Sequence, residues 1–434
     1  MNSSNNIIER ILLIYIYSMP FTSALTITST LFPSIILGAL LLLIMLRKLF
    51  SGHIPIVAKY NSADLILLTL FLCCVAASYL TNGLGNSKSL NHTIAYFSSF
   101  LIYYVSIRFS MINSERKEIL FKKILLSLTI VCLFSSLYAI TEFTLKNLGW
   151  EGFDALLPRA NVERLEYDPL ILGMFIRARG FAAESGHFMF MMELLSPITL
   201  YYLFFSNLSG LHKLLKVLIA ALIFISMLFT GSIAGFLIIP TAFIITFLLR
   251  FNKSKLAFKH HKRNIIIRSI SLLSIVLLIN VYIPINDMIN LAIEQKLDSS
   301  SRDDREQRND FFFIEFPKLP LAKNIIGAGP AGTQIMGYSS GGSILTLYLS
   351  VCFELGVLGC LVFLLFMGIF YFMSISMKGN FGFFLTYSLV AGSLHYLIVA
   401  NYYYPWFWFI CALTFFYRSL EIDNAKSNSY SPNI

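Results

Sequence analysis

Charged residues are scarce in this chain of 434 residues: they make up 13% of it, against roughly 25% in soluble globular domains. Hydrophobic residues make up 57%, and the mean hydropathy is +0.72. A chain so poor in charge is poorly suited to a fully hydrated surface, which excludes an ordinary soluble enzyme and predicts a protein surrounded by lipid. What the chain does have is 40 Phe and 22 Tyr, side chains that suit a bilayer core and its interfaces.

Cysteine usage excludes two further classes of protein. All six cysteines fall in apolar runs and none lies in a polar loop, so neither a disulfide framework nor a metal site is expected. A net charge of +10 can indicate nucleic-acid binding. In a membrane protein it is more typical of basic cytoplasmic loops, and no nucleic-acid partner is expected. The first apolar run lacks a convincing cleavage site and is expected to be a retained span.

Apolar runs recur along the whole chain at about the 20-residue length that crosses a hydrocarbon core. They predict an all-α polytopic integral membrane protein with about twelve transmembrane helices, in a single membrane domain over residues 1–434. Prolines in SMP and LFP predict kinks in the first two helices. The predicted spans are 11–26, 30–46, 64–82, 93–108, 124–143, 187–206, 217–231, 233–250, 265–284, 355–374, 382–400 and 402–417.

The distribution of lysine and arginine orients these spans. With a cytoplasmic N-terminus, roughly two thirds of these residues lie in cytoplasmic segments, although the other side holds the two longest loops. Both termini are therefore expected in the cytoplasm, with a tail over 418–434. The long loops, 144–186 and 285–354, are expected on the extracytoplasmic (periplasmic) side, and loops of this length usually contain short helices of their own.

The stretch NIIGAGPAGTQ contains the pattern G-x-G-x-x-G at Gly327, Gly329 and Gly332. This pattern binds a dinucleotide when a buried parallel strand delivers it to a helix N-terminus. Pro317 and Pro320 precede it here, and prolines allow an edge strand at best. The motif is therefore interpreted as a structural glycine turn, which either packs closely against the membrane domain or forms an anion-binding nest. No cofactor is expected.

Ionisable residues cluster where the first long loop meets an apolar helix, and at membrane depth such residues are functional candidates by default. The second long loop adds two arginines. Arg305 and Arg308 lie in a predicted helix over 302–316, where two planar guanidinium groups suit a diphosphate. The alternatives are pairing with neighbouring acidic residues in this helix and anchoring to lipid headgroups in the first loop. The candidates in the first loop are Arg177, Arg179, Glu184 and His187.

The order of these motifs resembles that of the bacterial O-antigen polymerase and ligase superfamily, in particular its Wzy-type polymerases. The matching motifs, within about 170–375, are R-x-R-G-F-x-x-E-S, an arginine helix, P-L-x-x-N-I-I-G-x-G-x-x-G and F-E-L-G-V-L-G. The resemblance implies a metal-independent inner-membrane glycosyltransferase without a cofactor. Such an enzyme transfers a growing glycan from undecaprenyl diphosphate to the next lipid-linked repeat unit at the periplasmic face. The implied partners are this lipid-linked oligosaccharide, the lipid bilayer and a chain-length regulator protein.

The resemblance also implies roles for the candidate residues. One arginine of each loop would hold the donor diphosphate, and Arg308 fits best in the second loop. A carboxylate after the R-G-F turn would orient an arginine or accept a proton from the acceptor hydroxyl. The implied diphosphate ligands are Arg177 or Arg179 and Arg305 or Arg308, and the implied catalytic residues are Glu184 and His187.

Two alternative functions stay open. An O-antigen ligase has the same fold and reaction but transfers to lipid A core, and it would place a His-Asn pair about nine residues before the E-x-G-x-x-G element. This chain has no histidine there, which favours the polymerase. A lipid-linked oligosaccharide flippase would line its spans with charged residues, whereas here only Glu193 and His395 lie well inside them.

Overall fold

A computed structural model describes residues 3–26, 31–52, 62–150, 157, 171–172, 175–251, 300–336 and 344–429. Within these ranges, seven helices are long and apolar enough to cross a membrane, and the fold is that of an all-α membrane protein. The seven are Pro33–Phe50, Ala63–Asn82, Ser87–Ile112, Lys117–Asn147, Ser185–Phe205, Ile233–Arg250 and Leu347–Ser376.

Fifteen α-helices and one short β-pair make up the described chain. A π-helical segment, Ser99–Val105, joins two of these helices, and a second one, Tyr201–Phe205, extends another helix. Strands β1 (Ile171–Leu172) and β2 (Phe175–Ile176) pair antiparallel. The helices are α1 (Ser3–Ser18), α2 (Pro33–Phe50), α3 (Ala63–Asn82), α4 (Ser87–Ser98), α5 (Ser106–Ile112), α6 (Lys117–Asn147), α7 (Ser185–Leu200), α8 (Lys213–Phe229), α9 (Ile233–Phe251), α10 (Ser300–Glu315), α11 (Leu321–Ile326), α12 (Gly332–Ile335), α13 (Leu347–Ser376), α14 (Gly379–His395) and α15 (Pro405–Ser429).

The helix boundaries differ from the predicted spans where the sequence is less apolar. Spans predicted at 64–82 and 233–250 coincide with α3 and α9 to within one residue. Helices α1, α8, α14 and α15 overlap four other predicted spans but are not among the seven. The structure therefore supports the helices without establishing twelve spans, and the predicted span 265–284 lies outside the described residues.

The predicted proline kinks in the first two helices are wrong. Pro20 lies beyond the end of α1, and Pro33 is the first residue of α2. A proline at the first position of a helix lacks only an N–H that would have no intrahelical partner, so α2 begins there without a kink.

The helix ends fall on two opposite faces. On one face, Lys117 at the start of α6 forms an ion pair with Asp423 near the end of α15, with 2.8 Å between Nζ and Oδ2. On the same face, Arg250 at the end of α9 donates to the carbonyl oxygen of Ser374 near the end of α13, at 2.6 Å. These are the segments that the positive charge predicts to be cytoplasmic, and their orientation stays a prediction. We call the other face, which carries the described parts of both long loops, the loop face.

The core between the helices combines aliphatic and aromatic side chains, and a buried ion pair lies near the face opposite the loop face. Trp406 and Trp408 of α15 are fully buried. Asp64 and Arg108 are also buried, with 2.7 Å between Oδ2 and Nε, and the Tyr104 hydroxyl donates to the same carboxylate. A pair this well satisfied tolerates burial because each charge keeps a partner.

Candidate functional site

The glycine turn and the start of α13 are in direct backbone contact. Gly327 has φ 103° and ψ 165°, and Gly356 has φ 70° and ψ −179°. Both conformations belong to a region that is essentially restricted to glycine. A Cβ on Gly327 would lie 2.6 Å from the Cα of Leu355, and one on Gly356 would lie 2.6 Å from the nitrogen of Gly327. The two glycines therefore allow a loop and a helix to approach more closely than side chains would permit.

The N–H groups of this turn already have protein acceptors. Ala328 donates to the carbonyl oxygen of Phe353 at 2.9 Å, and Gly329 donates to that of Glu354 at 3.1 Å. Gly327 and Gly332 donate to carbonyl oxygens within the same segment. Of the two sequence interpretations, this geometry fits the close-packed turn, since a nest must point its N–H groups at a bound anion.

The same contact positions Glu354. Helix α13 begins at Leu347, earlier than the predicted end of the loop at 354. Its backbone is non-helical at Gly356. The carbonyl oxygen of Glu354 accepts from the hydroxyl of Ser78 at 2.6 Å and from the N–H of Gly329. Its side chain is 1% exposed. These hydrogen bonds therefore fix the backbone of Glu354, while its carboxylate lies in the interior.

Two side chains from α4 meet this carboxylate. The Tyr96 hydroxyl donates to Oε2 at 2.9 Å, and Nδ1 of His92 lies 3.6 Å from Oε1. Tyr96 is in turn stacked on Tyr402, with ring centroids 4.3 Å apart and planes inclined by 5°. Aromatic stacking and a hydrogen bond thus fix the orientation of the carboxylate.

A cavity of about 270 Å³ opens beside Glu354 on the loop face. Its boundary is part polar and part aromatic, and no lysine or arginine is among the described residues that line it. Exposed Tyr403 and half-exposed His92 lie at its edge, so the cavity reaches the surface. The lining residues are His92, Ala95, Gln334, Ser350, Glu354, Ala400, Asn401, Tyr402 and Tyr403.

His187, a predicted catalytic residue, is connected to this cavity by hydrogen bonds. The side-chain amide of Asn401 contacts its Nε2, and the Tyr404 hydroxyl lies 3.1 Å from its Nδ1. Asn401 also accepts from the Tyr403 hydroxyl through Oδ1 at 2.8 Å, so its NH₂ group is the part that faces His187. In this arrangement Nε2 accepts and Nδ1 carries the proton. The ring itself is 8% exposed.

Arg179, a predicted diphosphate ligand, is buried in a different cluster. Its Nε lies 3.5 Å from Oε1 of Glu142, and that carboxylate also binds Nζ of Lys146 at 3.1 Å. The second oxygen of Glu142 accepts from the backbone N–H groups of Arg179 and Gly180, at 2.9 and 2.8 Å. At 1% exposure, this arginine holds the R-x-R-G-F turn on α6 and presents no surface to a ligand.

The neighbouring candidates Arg177 and Glu184 are more accessible. Arg177 is partly exposed, and its Nε donates to the carbonyl oxygen of Thr230 after α8, at 2.6 Å. Glu184 is exposed and directly precedes α7, with extended backbone and no side-chain bond to the helix N-terminus. Both side chains therefore lie at the loop face.

The arginine helix α10 covers residues 300–315, against a predicted 302–316. Phe312 and Phe316 pack on Phe353, which docks the helix beside the start of α13. Arg308 is partly buried on this helix, and the adjacent Asn309 accepts from the Thr346 hydroxyl at 3.3 Å. The side chain of Arg305 lies outside the described residues.

Glu193 and His395, the charged residues predicted well inside the spans, bind each other. His395 Nδ1 lies 2.8 Å from Glu193 Oε2, both residues are buried, and Phe190 stacks on the imidazole at 4.3 Å. Neither residue lines the cavity beside Glu354. The pair joins α7 to α14 within the core.

Asn401 and Glu354 both line the cavity. Asn401 contacts His187, and the backbone of Glu354 contacts the glycine turn, so the structure brings these two predicted features to one cavity. Sequence reasoning missed Glu354, His92 and Asn401 as site residues. The signal that identified the arginines, an ionisable residue at the end of an apolar run, also applies to His92 and Glu354. Asn401 carries no such signal.

The described fold and cavity define a class: an all-α membrane protein with a polar site at one end of its helices. No family model matches the chain, and no curated protein matches it.

Proposed function

We propose that this protein polymerises undecaprenyl-diphosphate-linked oligosaccharide repeat units of a surface polysaccharide such as O-antigen. It transfers the growing glycan from its lipid diphosphate to the next lipid-linked unit, at the periplasmic face of the bacterial inner membrane. The observation that carries the proposal is the cavity beside Glu354. It provides a buried carboxylate, an imidazole and amide groups at the loop face.

The reaction needs little from the protein beyond placement and charge. A lipid diphosphate is an activated leaving group, so the enzyme must stabilise the charge that develops on phosphate and remove one proton from a sugar hydroxyl. Arginine suits the first task because its planar guanidinium binds two phosphate oxygens at once. Carboxylate or imidazole suits the second task.

From their exposure, we assign different roles to the candidate arginines. Arg177 and Arg308 are partly exposed, and they are the arginines that we propose contact the donor diphosphate. Arg179 is buried against Glu142, so its contribution is to hold the turn that presents Arg177. Both donor arginines act near the lipid boundary, where a lower effective dielectric strengthens their attraction for phosphate.

Deletion of the gene tests the proposal through the banding pattern of the lipopolysaccharide. Loss of a polymerase leaves core carrying a single repeat unit, and a plasmid copy restores the ladder. Unsubstituted core would contradict polymerisation and favour a ligase, or a flippase if the lipid-linked unit is trapped in the cytoplasm. A normal ladder in the deletion strain would contradict all three functions in O-antigen synthesis.

A further inference from the structure

The cavity beside Glu354 has the chemistry of a site for neutral hydroxyl groups. We propose that it binds the acceptor sugar of the incoming repeat unit, with Glu354 as the catalytic residue that takes the proton from the attacking hydroxyl. This inference rests on the proposed function and deepens it, because it separates an acceptor site from the arginines that hold the donor diphosphate.

The charge in the cavity disfavours a phosphate as its ligand. Glu354 is buried, and none of the described lining residues is a lysine or arginine. A diphosphate placed here would meet a carboxylate of like charge at low dielectric, and among the described lining residues only the imidazole of His92 can carry a positive charge. We therefore place the donor diphosphate elsewhere, and the exposed parts of Arg177 and Arg308 are on the same face.

The lining groups match what a sugar ring offers. Gln334 and Asn401 supply amide groups that both donate and accept, as hydroxyl groups do. The exposed ring of Tyr403 supplies flat apolar surface for the C–H face of a pyranose. A volume of about 270 Å³ is close to the lower end of small-molecule pockets, about 300 Å³, which suits a single sugar residue at the end of a longer glycan.

One carboxylate oxygen of Glu354 accepts a hydrogen bond from the protein, whereas the other lies near an imidazole without a hydrogen bond to it. Oε2 accepts from Tyr96, whereas Oε1 lies 3.6 Å from Nδ1 of His92, beyond hydrogen-bond range. Among the described residues, Nδ1 of His92 has no hydrogen-bond partner although it is buried. A sugar hydroxyl entering the cavity can donate to Oε1 and accept from the imidazole, which satisfies both atoms.

The proposed step balances as a displacement at the anomeric carbon of the donor. The acceptor oxygen forms a bond with this carbon, and the bond from the carbon to the diphosphate oxygen breaks. The electron pair leaves on the lipid diphosphate, which the arginines stabilise, and the hydroxyl proton moves to Oε1 of Glu354. The proton then passes to solvent at the edge of the cavity, where His92 is 30% exposed.

A kinetic experiment on the purified full-length protein tests this assignment. The donor is a lipid-diphosphate-linked oligomer, and the acceptor is a fluorescently labelled single repeat unit on its own lipid diphosphate, varied in concentration. For Glu354→Gln we expect kcat to fall by about 10²–10⁴-fold, with a modest change in the KM of the acceptor, because the amide keeps the shape but is a poor proton acceptor. Glu354→Asp keeps a carboxylate and is expected to retain part of the activity.

A second variant tests binding separately from proton transfer. Gln334→Ala removes a lining amide from the short helix α12, and we expect it to raise the KM of the labelled acceptor by about tenfold with kcat nearly unchanged. The matched control is Glu315→Gln, which removes a carboxylate from the exposed ion pair with Lys318. It is expected to leave both constants at the wild-type values.

The outcomes separate the two proposals. If the wild-type protein does not lengthen the glycan, the proposed function fails. If it does, but Glu354→Gln keeps the wild-type kcat and pH profile, or Gln334→Ala leaves the acceptor KM unchanged, the acceptor site fails while the polymerase stands. Should Glu354→Gln not fold, as judged by its elution as a single species in detergent, the Gln334→Ala result decides alone.

Discussion

Gly327→Ala is the substitution whose effect the structure defines most sharply. A Cβ at this position would overlap the carbonyl oxygen of Glu354 and lie 2.6 Å from the Cα of Leu355. Carbon atoms at ordinary contact are about 3.5–4.0 Å apart, so the loop or the start of α13 must move by about 1 Å. Either movement displaces the backbone that carries Glu354.

The expected cost has two parts. Overpacking a close contact costs about 1–3 kcal/mol. A non-glycine residue at φ 103° and ψ 165° costs about 1–3 kcal/mol more. A loss on the order of 2–6 kcal/mol is a large fraction of the about 5–15 kcal/mol that usually holds a folded domain together. We therefore expect a clear fall in Tm together with a loss of polymerase activity.

Thermal unfolding in detergent at one fixed scan rate measures this effect, because irreversible unfolding makes Tm depend on the rate. Gly368→Ala in α13 is the matched control, since a Cβ there meets nothing within 4 Å. It is expected to leave Tm unchanged or raise it, as alanine favours a helix by up to about 1 kcal/mol over glycine. If Gly327→Ala melts at the wild-type temperature and keeps full activity, the close approach of the turn to α13 is refuted.

Three further predictions follow from charged residues. Arg308→Ala should abolish the polysaccharide ladder while the membrane fraction still contains the protein, because a donor diphosphate would lose a guanidinium; a normal ladder would remove Arg308 from the donor site. Glu142→Gln removes the carboxylate that lies beside the buried side chains of Arg179 and Lys146, and it should destabilise the protein by about 3–5 kcal/mol in thermal unfolding. An unchanged Tm would show that this cluster does not stabilise the fold. Asp64→Asn should cost a similar amount, about 3–5 kcal/mol, by leaving Arg108 buried, and a Tm equal to that of the wild-type protein would contradict this.

Local sequence features predicted the helices well where apolar residues run without interruption. The helices α3 and α9 match their predicted spans because their lengths and composition are set locally. The start of α13 was missed because Glu354 interrupts the apolar run, so that the predicted span begins after it although residues 347–353 are themselves mostly apolar. Prolines were misread as kinks because a proline after a helix and one at its first position look alike before the boundary is known.

The candidate site was harder to predict because its residues are far apart in sequence. Tyr96 and Glu354 are separated by 258 positions, and Asn401 and His187 by 214. Only the packing of α4, α7 and α13 brings them to one cavity. Arg177 or Arg179 was predicted as a ligand because both stand where a polar loop enters an apolar helix. The sequence does not show that Arg179 is buried against Glu142, which lies 37 positions away.

Reconstitution of the purified protein in lipid vesicles with lipid-diphosphate-linked repeat units tests the central claim most directly. The measurement is the length of the glycan released from its lipid by mild acid, resolved on a gel. We expect the wild-type protein to convert single units into a ladder and to release undecaprenyl diphosphate with each transfer, and Glu354→Gln to leave single units. A wild-type protein that leaves only single units, with no diphosphate released, would contradict the account.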